Sequence, residues 1–201
     1  YELVEDTSLR PVADPRPGTV DMYAALRWLD TVVPGERILV TDAGRFCTPS
    51  WKSIAVSKPE DLVFGVNIGA IGMGMSYAIG AATTSKGGPT LLVAGDGGFM
   101  LGGLAEFNTA VRSGLDIVVA IMNDNAYGSE HIQFTDRGLD PSLSHFDWPD
   151  FAPVALALGG EGVTVACEGD FEKAAEAIRH RTKPLIIDFK IDPVSIPSTR
   201  S

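Results

Sequence analysis

Two apolar runs, each stopped by a cluster of glycines, acids and amides, constrain this chain more than any other feature. Leu91-Leu92-Val93-Ala94 runs into Gly95-Asp96-Gly97-Gly98-Phe99, and Ile117-Val118-Val119-Ala120-Ile121-Met122 runs into Asn123-Asp124-Asn125-Ala126-Tyr127-Gly128. Neither run alternates apolar with polar residues. A strand covered on both faces needs no alternation, so both read as buried strands of a parallel sheet. Between them Leu104, Phe107, Ala110 and Val111 recur at helical spacing over residues 101–113, and Gly114 supplies a stop. A right-handed crossover of this kind brings both carboxyl ends to one edge of the sheet, where open α/β folds bind ligands.

Asp96 and the triplet 123–125 then face a common crevice. A carboxylate, an amide or second carboxylate, and a backbone carbonyl are hard oxygen ligands suited to Mg²⁺, which keeps phosphate oxygens in its shell. The glycines at 95, 97 and 98 let backbone amides approach a phosphate closely, beside a helix start whose N–H groups favour anions. The chemistry suggested is Mg²⁺ holding a diphosphate.

The order GDGGF followed by NDNAYG resembles the GDG…NN signature of the thiamine-diphosphate-dependent enzymes, most closely the acetolactate synthase-like and pyruvate decarboxylase-like group. Upstream, residues 69–81 (GAIGMGMSYAIGA) resemble the segment that precedes the metal motif in that group, and residues 184–189 (PLIIDF) resemble its closing strand. The resemblance implies an α/β, doubly wound sheet of about six parallel strands with helices on both faces. It makes Asp96 the first metal ligand, Asp124 the second and the Ala126 carbonyl the third, with Asn123 and Asn125 as alternatives to Asp124. The commoner residue at the second position is Asn, and Gly98 stands where a Ser is frequent.

By the same resemblance Gly95, Gly97, Gly98 and Tyr127 belong to the diphosphate site, which the Gly44-Arg45 turn also touches. The backbone at Gly69 and Ile71 holds the aminopyrimidine, and the Ile71 side chain bends the cofactor. Glu130 stands near the reacting carbon. The implied role is a C-terminal diphosphate-binding domain of an enzyme that decarboxylates or ligates 2-oxo acids through a thiazolium ylid. A Glu from a separate pyrimidine-binding domain is needed, so the chain is expected to be inactive alone and to work in a homo-oligomer with that domain supplied from elsewhere.

The remaining features are consistent with this expectation. With 201 residues, 45% apolar and 21% charged, the chain suits one globular domain. A formal charge of −10 argues against a nucleic-acid surface and leaves any phosphate site to local amides and metal. Cys47 and Cys167 have no framework or metal spacing and read as buried or half-buried side chains of a reducing compartment. The uncharged run 63–85 is too glycine-rich for a membrane span, and no signal peptide is seen, so the cytoplasm is expected.

Residues 1–18 read as a linker or arm, 19–190 as the domain and 191–201 as a tail. Without a Met at its start, the sequence reads as a piece or processed form of something longer. Thr19 is expected to cap a helix to residue 33, followed by strands at 37–41 and 62–66 and a helix from 69 through 82. After Tyr127 a loop carries Ser129, Glu130, His131, Gln133, Asp136 and Arg137, with His145 and His180 structural or exposed. A helix at 149–158, a strand at 162–166, a helix to 179 capped by Asp170 and a strand from 184 complete the chain. Two alternatives stand beside the resemblance. A dinucleotide-binding domain is suggested by Gly69, Gly72 and Gly74 with Asp96 downstream, although the spacing is not GxGxxG. A non-catalytic module that keeps the fold is the other.

Overall fold

Successive residues of one strand enter two separate cores in the computed structural model, which describes residues 15–65, 69–85 and 87–192. Along β3 (Thr90–Gly95), Leu91 and Val93 join one apolar cluster while Leu92 and Ala94 join another. Along β4 (Ile117–Asn123), Val118 and Ala120 are likewise divided from Val119 and Ile121. Both faces of the sheet are dry, which is why these runs show no alternation.

With β1 (Ile38–Thr41), β2 (Leu62–Phe64), β5 (Glu161–Val165) and β6 (Leu185–Lys190), the strands form one six-stranded sheet of order β2-β1-β3-β4-β6-β5. Every pairing is parallel. Helices α1 (Met22–Val32), α2 (Cys47–Ser53) and α8 (Asp170–His180) contribute to one core. Helices α3 (Gly74–Thr84), α5 (Leu104–Arg112) and α7 (Phe151–Ala157) contribute to the other. The fold is the doubly wound α/β sheet expected.

From β1 the chain moves outward to the edge strand β2, whereas from β3 it moves the opposite way to β4. The loops leaving β1 and β3 therefore diverge to opposite faces and open a crevice at the carboxyl edge. Gly95 is in register with Met122, so the ends of β3 and β4 are level and Asp96 leaves beside Asn123.

Several local expectations are corrected. Helix α1 is capped by Asp21, whose Oδ1 accepts from the Ala24 amide at 2.8 Å, and not by Thr19, whose hydroxyl donates to the Arg16 carbonyl. Residues 69–73 are not helical. Gly69 and Gly72 have φ of +66° and +87°, a left-handed conformation that an α-helix cannot contain, so α3 begins only at Gly74. The helix expected over 101–113 starts earlier, because a single turn α4 (Asp96–Gly98) and a π-helical turn (Phe99–Gly103) lead into α5.

The loop expected after Tyr127 is instead helix α6 (Gly128–Asp136), none of whose residues is buried, so it lacks the apolar periodicity that marks a helix in sequence. Asp170 is the first residue of α8 and not its cap; its carboxylate accepts from the amides of Ala166 and Cys167 and folds the preceding turn. Cys47 is buried as expected but Cys167 is exposed. Val66, residues 1–14 of the expected arm and 193–201 of the expected tail lie outside the described residues. Ile191 is buried and forms a parallel bridge with Val20.

Arg37, expected at the start of β1, precedes it and ties α1 to the loop after α2. Its guanidinium donates to the carbonyls of Asp30 and Val33, orphaned by the end of α1, and to that of Ala55, and it pairs with the Asp30 carboxylate. Replacing Arg37 by Met leaves these acceptors without their donor. We expect Arg37→Met to lower the unfolding free energy by about 3 kcal/mol, because Arg37 is buried while Asp30 keeps some water. Arg37→Lys should recover little of it, since an ammonium cannot reproduce the fork. Denaturant titration checks this; a loss below about 1 kcal/mol would contradict the bracing role.

Candidate functional site

The loops leaving β1, β3 and β4 line a cleft of about 220 Å³. Gly44 and Arg45 come from the first loop, and Gly95, Asp96, Gly97 and Gly98 from the second. Asp124, Ala126, Tyr127 and Glu130 come from the third, while Gly69 and Ile71 reach it from the segment before α3. Residues picked from four separate stretches of sequence thus share one cavity.

Its floor is a pair of buried carboxylates. Asp96 opens α4 and is 1% exposed; its Oδ2 accepts from the Ala126 amide at 3.1 Å. The same amide lies 3.1 Å from Oδ1 of Asp124. One N–H therefore serves two acids. Burial, then the charge of Asp124, pushes Asp96 up to about 8, against the pull of backbone hydrogen bonds. Burial raises Asp124 as well, opposed chiefly by the charge of Arg45. Two acids that resist ionising side by side are a setting that a cation relieves.

The donor chemistry sorts the candidate cations. Among the described residues no three His, Cys, Asp or Glu side chains converge on a metal position, so a cation here draws at most two carboxylates from side chains. Its other oxygens must come from backbone, water or ligand, the habit of Mg²⁺ bound with a phosphate. Ala126 is placed to add a carbonyl. Phe146 donates to the Asn125 carbonyl and Tyr127 to the Ser144 carbonyl, each at 2.9 Å, in an antiparallel bridge of Ala126 with His145. That bridge uses the groups flanking Ala126 and turns its own amide and carbonyl the other way. These residues fit a Mg²⁺–diphosphate group.

The neighbouring asparagines face elsewhere. The Asn123 amide donates to Asp188 at 2.9 Å and its Oδ1 accepts from the Asn125 amide, while Asn125 is exposed at φ 56°, a conformation Asn tolerates. Of the three candidates in this loop, Asp124 alone lines the cleft.

Asp42 was not singled out by the sequence, although it follows an apolar strand as Asp96 does. It is 4% exposed and accepts from the amides of Ala43 and Gly72. Burial raises its pKa and those hydrogen bonds oppose the rise. Asp42 so clamps the left-handed turn at Gly72 onto the end of β1. It also explains Gly98, since a Cβ there would lie 2.7 Å from Asp42 Oδ2 and any side chain would collide. Gly97 is bare for a similar reason, with the Tyr127 ring 2.4 Å from where its Cβ would be.

Glu130 is exposed in the first turn of α6, on the rim of the cleft. His131, next in the chain, packs its ring 4.5 Å from that of the exposed His145, and His180 is exposed on α8. The Cys47 thiol donates to the Asp42 carbonyl and burial pushes it up to about 11, so it is a packing residue and no nucleophile.

Comparison with known proteins agrees with this geometry. The family model of the thiamine pyrophosphate enzyme C-terminal TPP binding domain matches residues 42–189. The acetolactate synthase isozyme 2 large subunit of Escherichia coli is 25% identical over 171 residues, covering 83% of this chain and 31% of that protein. Oxalyl-CoA decarboxylase of Escherichia coli is 29% identical over 128 residues, covering 63% of this chain and 22% of that protein. The thiamine diphosphate-dependent 4-hydroxybenzoylformate decarboxylase of Rhodococcus jostii RHA1 superposes with a TM-score of 0.78 at 21% identity, over 94% of this chain and 37% of its own. The chain thus spans about a third or less of the length of these relatives. A dinucleotide-binding domain is set aside, both by the family match and by a strand order that differs from the 3-2-1-4-5-6 of that fold. With the match covering the loops that leave β1, β3 and β4 and the segment before α3, the chain belongs to the thiamine pyrophosphate enzymes as a C-terminal, cofactor-binding domain.

Proposed function

We propose that this chain holds thiamine diphosphate through Mg²⁺ for an acetolactate synthase-like enzyme of 2-oxo acids. Asp96, Asp124 and the Ala126 carbonyl hold the metal, and the backbone at Gly44, Gly95, Gly97 and Gly98, with Tyr127 over Gly97, cradles the diphosphate. Gly69 and Ile71 seat the aminopyrimidine, and Glu130 stands near the reacting carbon. The bound cofactor supplies the carbanion chemistry of cleavage or ligation next to a carbonyl. This chain's residues bind and orient: the buried carboxylates fix the cation, and the left-handed turn held by Asp42 presents Gly69 and Ile71. A pyrimidine-binding domain outside this chain completes the site, in a cytoplasmic homo-oligomer, and the chain alone is inactive. Among the described residues no helix is long and apolar enough to cross a membrane.

The observation that carries this reading is the convergence of Asp96 and Asp124 on one amide at the carboxyl edge of the sheet. Calorimetric titration with thiamine diphosphate should show heat only with Mg²⁺ present, and Asp96→Asn should weaken binding by about 100-fold or more. Binding that ignores Mg²⁺ or survives the substitution would favour the non-catalytic module instead.

The metal-free chain should also report Asp96 through its pH dependence. A carboxyl at about 8 when folded, against an ordinary value of about 4 when unfolded, keeps its proton over a window in which the unfolded chain has lost it. Its contribution to stability is therefore full at low pH and is lost as pH rises through that window. Thermal unfolding between about pH 5 and about pH 8 should show this decline in the native sequence and a flatter profile in Asp96→Asn. Superimposable profiles would contradict the assignment.

A further inference from the structure

We propose that Arg45 is an exchangeable counter-ion of this cleft, holding Asp124 when no divalent cation is bound and passing to a phosphate oxygen of the ligand when one is. The inference rests on the reading of the cleft as a cation and diphosphate site.

Arg45 and Asp124 lie 79 residues apart, on loops leaving β1 and β4, strands that flank β3 in the sheet. Their ion pair therefore reaches across the turn that carries Asp96. It is well shielded, with side chains 11% and 5% exposed. Among the described residues lining the cleft, Arg45 is the cation and Asp96, Asp124 and Glu130 are the acids. Space for the pair is made at the start of α6, where a Cβ on Gly128 would lie 2.5 Å from Arg45 Nε and 2.6 Å from Asp124 Oδ2.

Both oxygens of Asp124 are thereby engaged, Oδ1 by the Ala126 amide and Oδ2 by Arg45. Each of these oxygens keeps a second lone pair, so a dication arriving at Asp124 competes with its two partners by charge and not by lone pairs, and the partner it repels is the guanidinium. The backbone amide is fixed by the bridge at Ala126 and shared with Asp96, whereas the guanidinium sits on a side chain with several rotatable bonds. Arg45 cannot lose its charge to escape a neighbouring dication, so it has to move. Within the same cleft the matching anion is the phosphate that arrives with the metal, and the planar fork suits phosphate oxygens. The pair so keeps a buried acid compensated until the ligand takes over both charges.

Competition for Asp124 gives the test an unusual sign. Using the full chain and paramagnetic resonance of Mn²⁺, Arg45→Gln should bind the metal alone about tenfold more tightly than the native sequence. The same variant, loaded with Mn²⁺, should bind inorganic diphosphate about tenfold more weakly. In an Asp124→Asn background, Arg45→Gln should leave metal affinity unchanged. Arg45→Lys, which keeps the charge without the fork, should stay near the native metal affinity and still lose diphosphate binding; circular dichroism verifies the fold of each variant. Weakening of both ligands by Arg45→Gln, or of neither, overturns the proposal while leaving the cleft reading intact. Failure of the native chain to bind Mn²⁺ at all overturns both.

Discussion

Three carboxylates, Asp42, Asp96 and Asp124, leave the carboxyl ends of β1, β3 and β4 into a space almost closed to water, and the surrounding structure is arranged to tolerate them. A buried carboxylate without partners loses several kcal/mol of hydration, so each must be met by amides or cations. Asp42 takes the amides of Ala43 and Gly72, Asp96 that of Ala126, and Asp124 the same amide together with Arg45. Backbone donors of this kind demand close approach. The left-handed turn at Gly72 and the bare positions at 98 and 128 follow from the close packing around these carboxylates, and Gly97 from the Tyr127 ring against it, so none reflects a general preference for glycine.

The loop that carries Asp124 is itself anchored from below. Asp188 on β6 is fully buried; it accepts from the Asn123 side chain and, through its other oxygen, from the Phe151 amide at the start of α7 and from Lys190. Asn123 in turn receives the Asn125 amide, which sets the left-handed residue that reverses the chain toward Ala126. A polar link buried in the sheet thus fixes where a carboxylate at its edge can be. Such a network is worth its desolvation when it selects one loop conformation among many.

What was legible in the sequence follows from the range of each interaction. The central strands β3 and β4 are readable because double burial writes itself as unbroken apolar runs, and Asp96 and Asp124 because each stands where such a run ends; the edge strands β2 and β5 are only partly buried and carry a weaker signal. The helical start at Asp96 was hidden behind glycines, which carry no helix signal, and α6 was hidden because it buries no residue. The stretch 69–73, with small residues at 69, 70 and 72, passes for helix in sequence; only the positive φ of Gly69 and Gly72 excludes it. The work of Asp42 was out of reach, since its partner Gly72 is 30 residues away, and so was the Arg45–Asp124 pair. These are tertiary contacts with no local signature.

The account stands on a single location for the metal. Crystals of the chain grown with Mn²⁺ and thiamine diphosphate, measured at the manganese edge, would place that ion directly. The account predicts one anomalous peak contacting the carboxylates of Asp96 and Asp124 and the carbonyl of Ala126, with diphosphate oxygens completing its shell. Thiamine diphosphate held in the cleft with the manganese elsewhere, or with no metal at all, would contradict it.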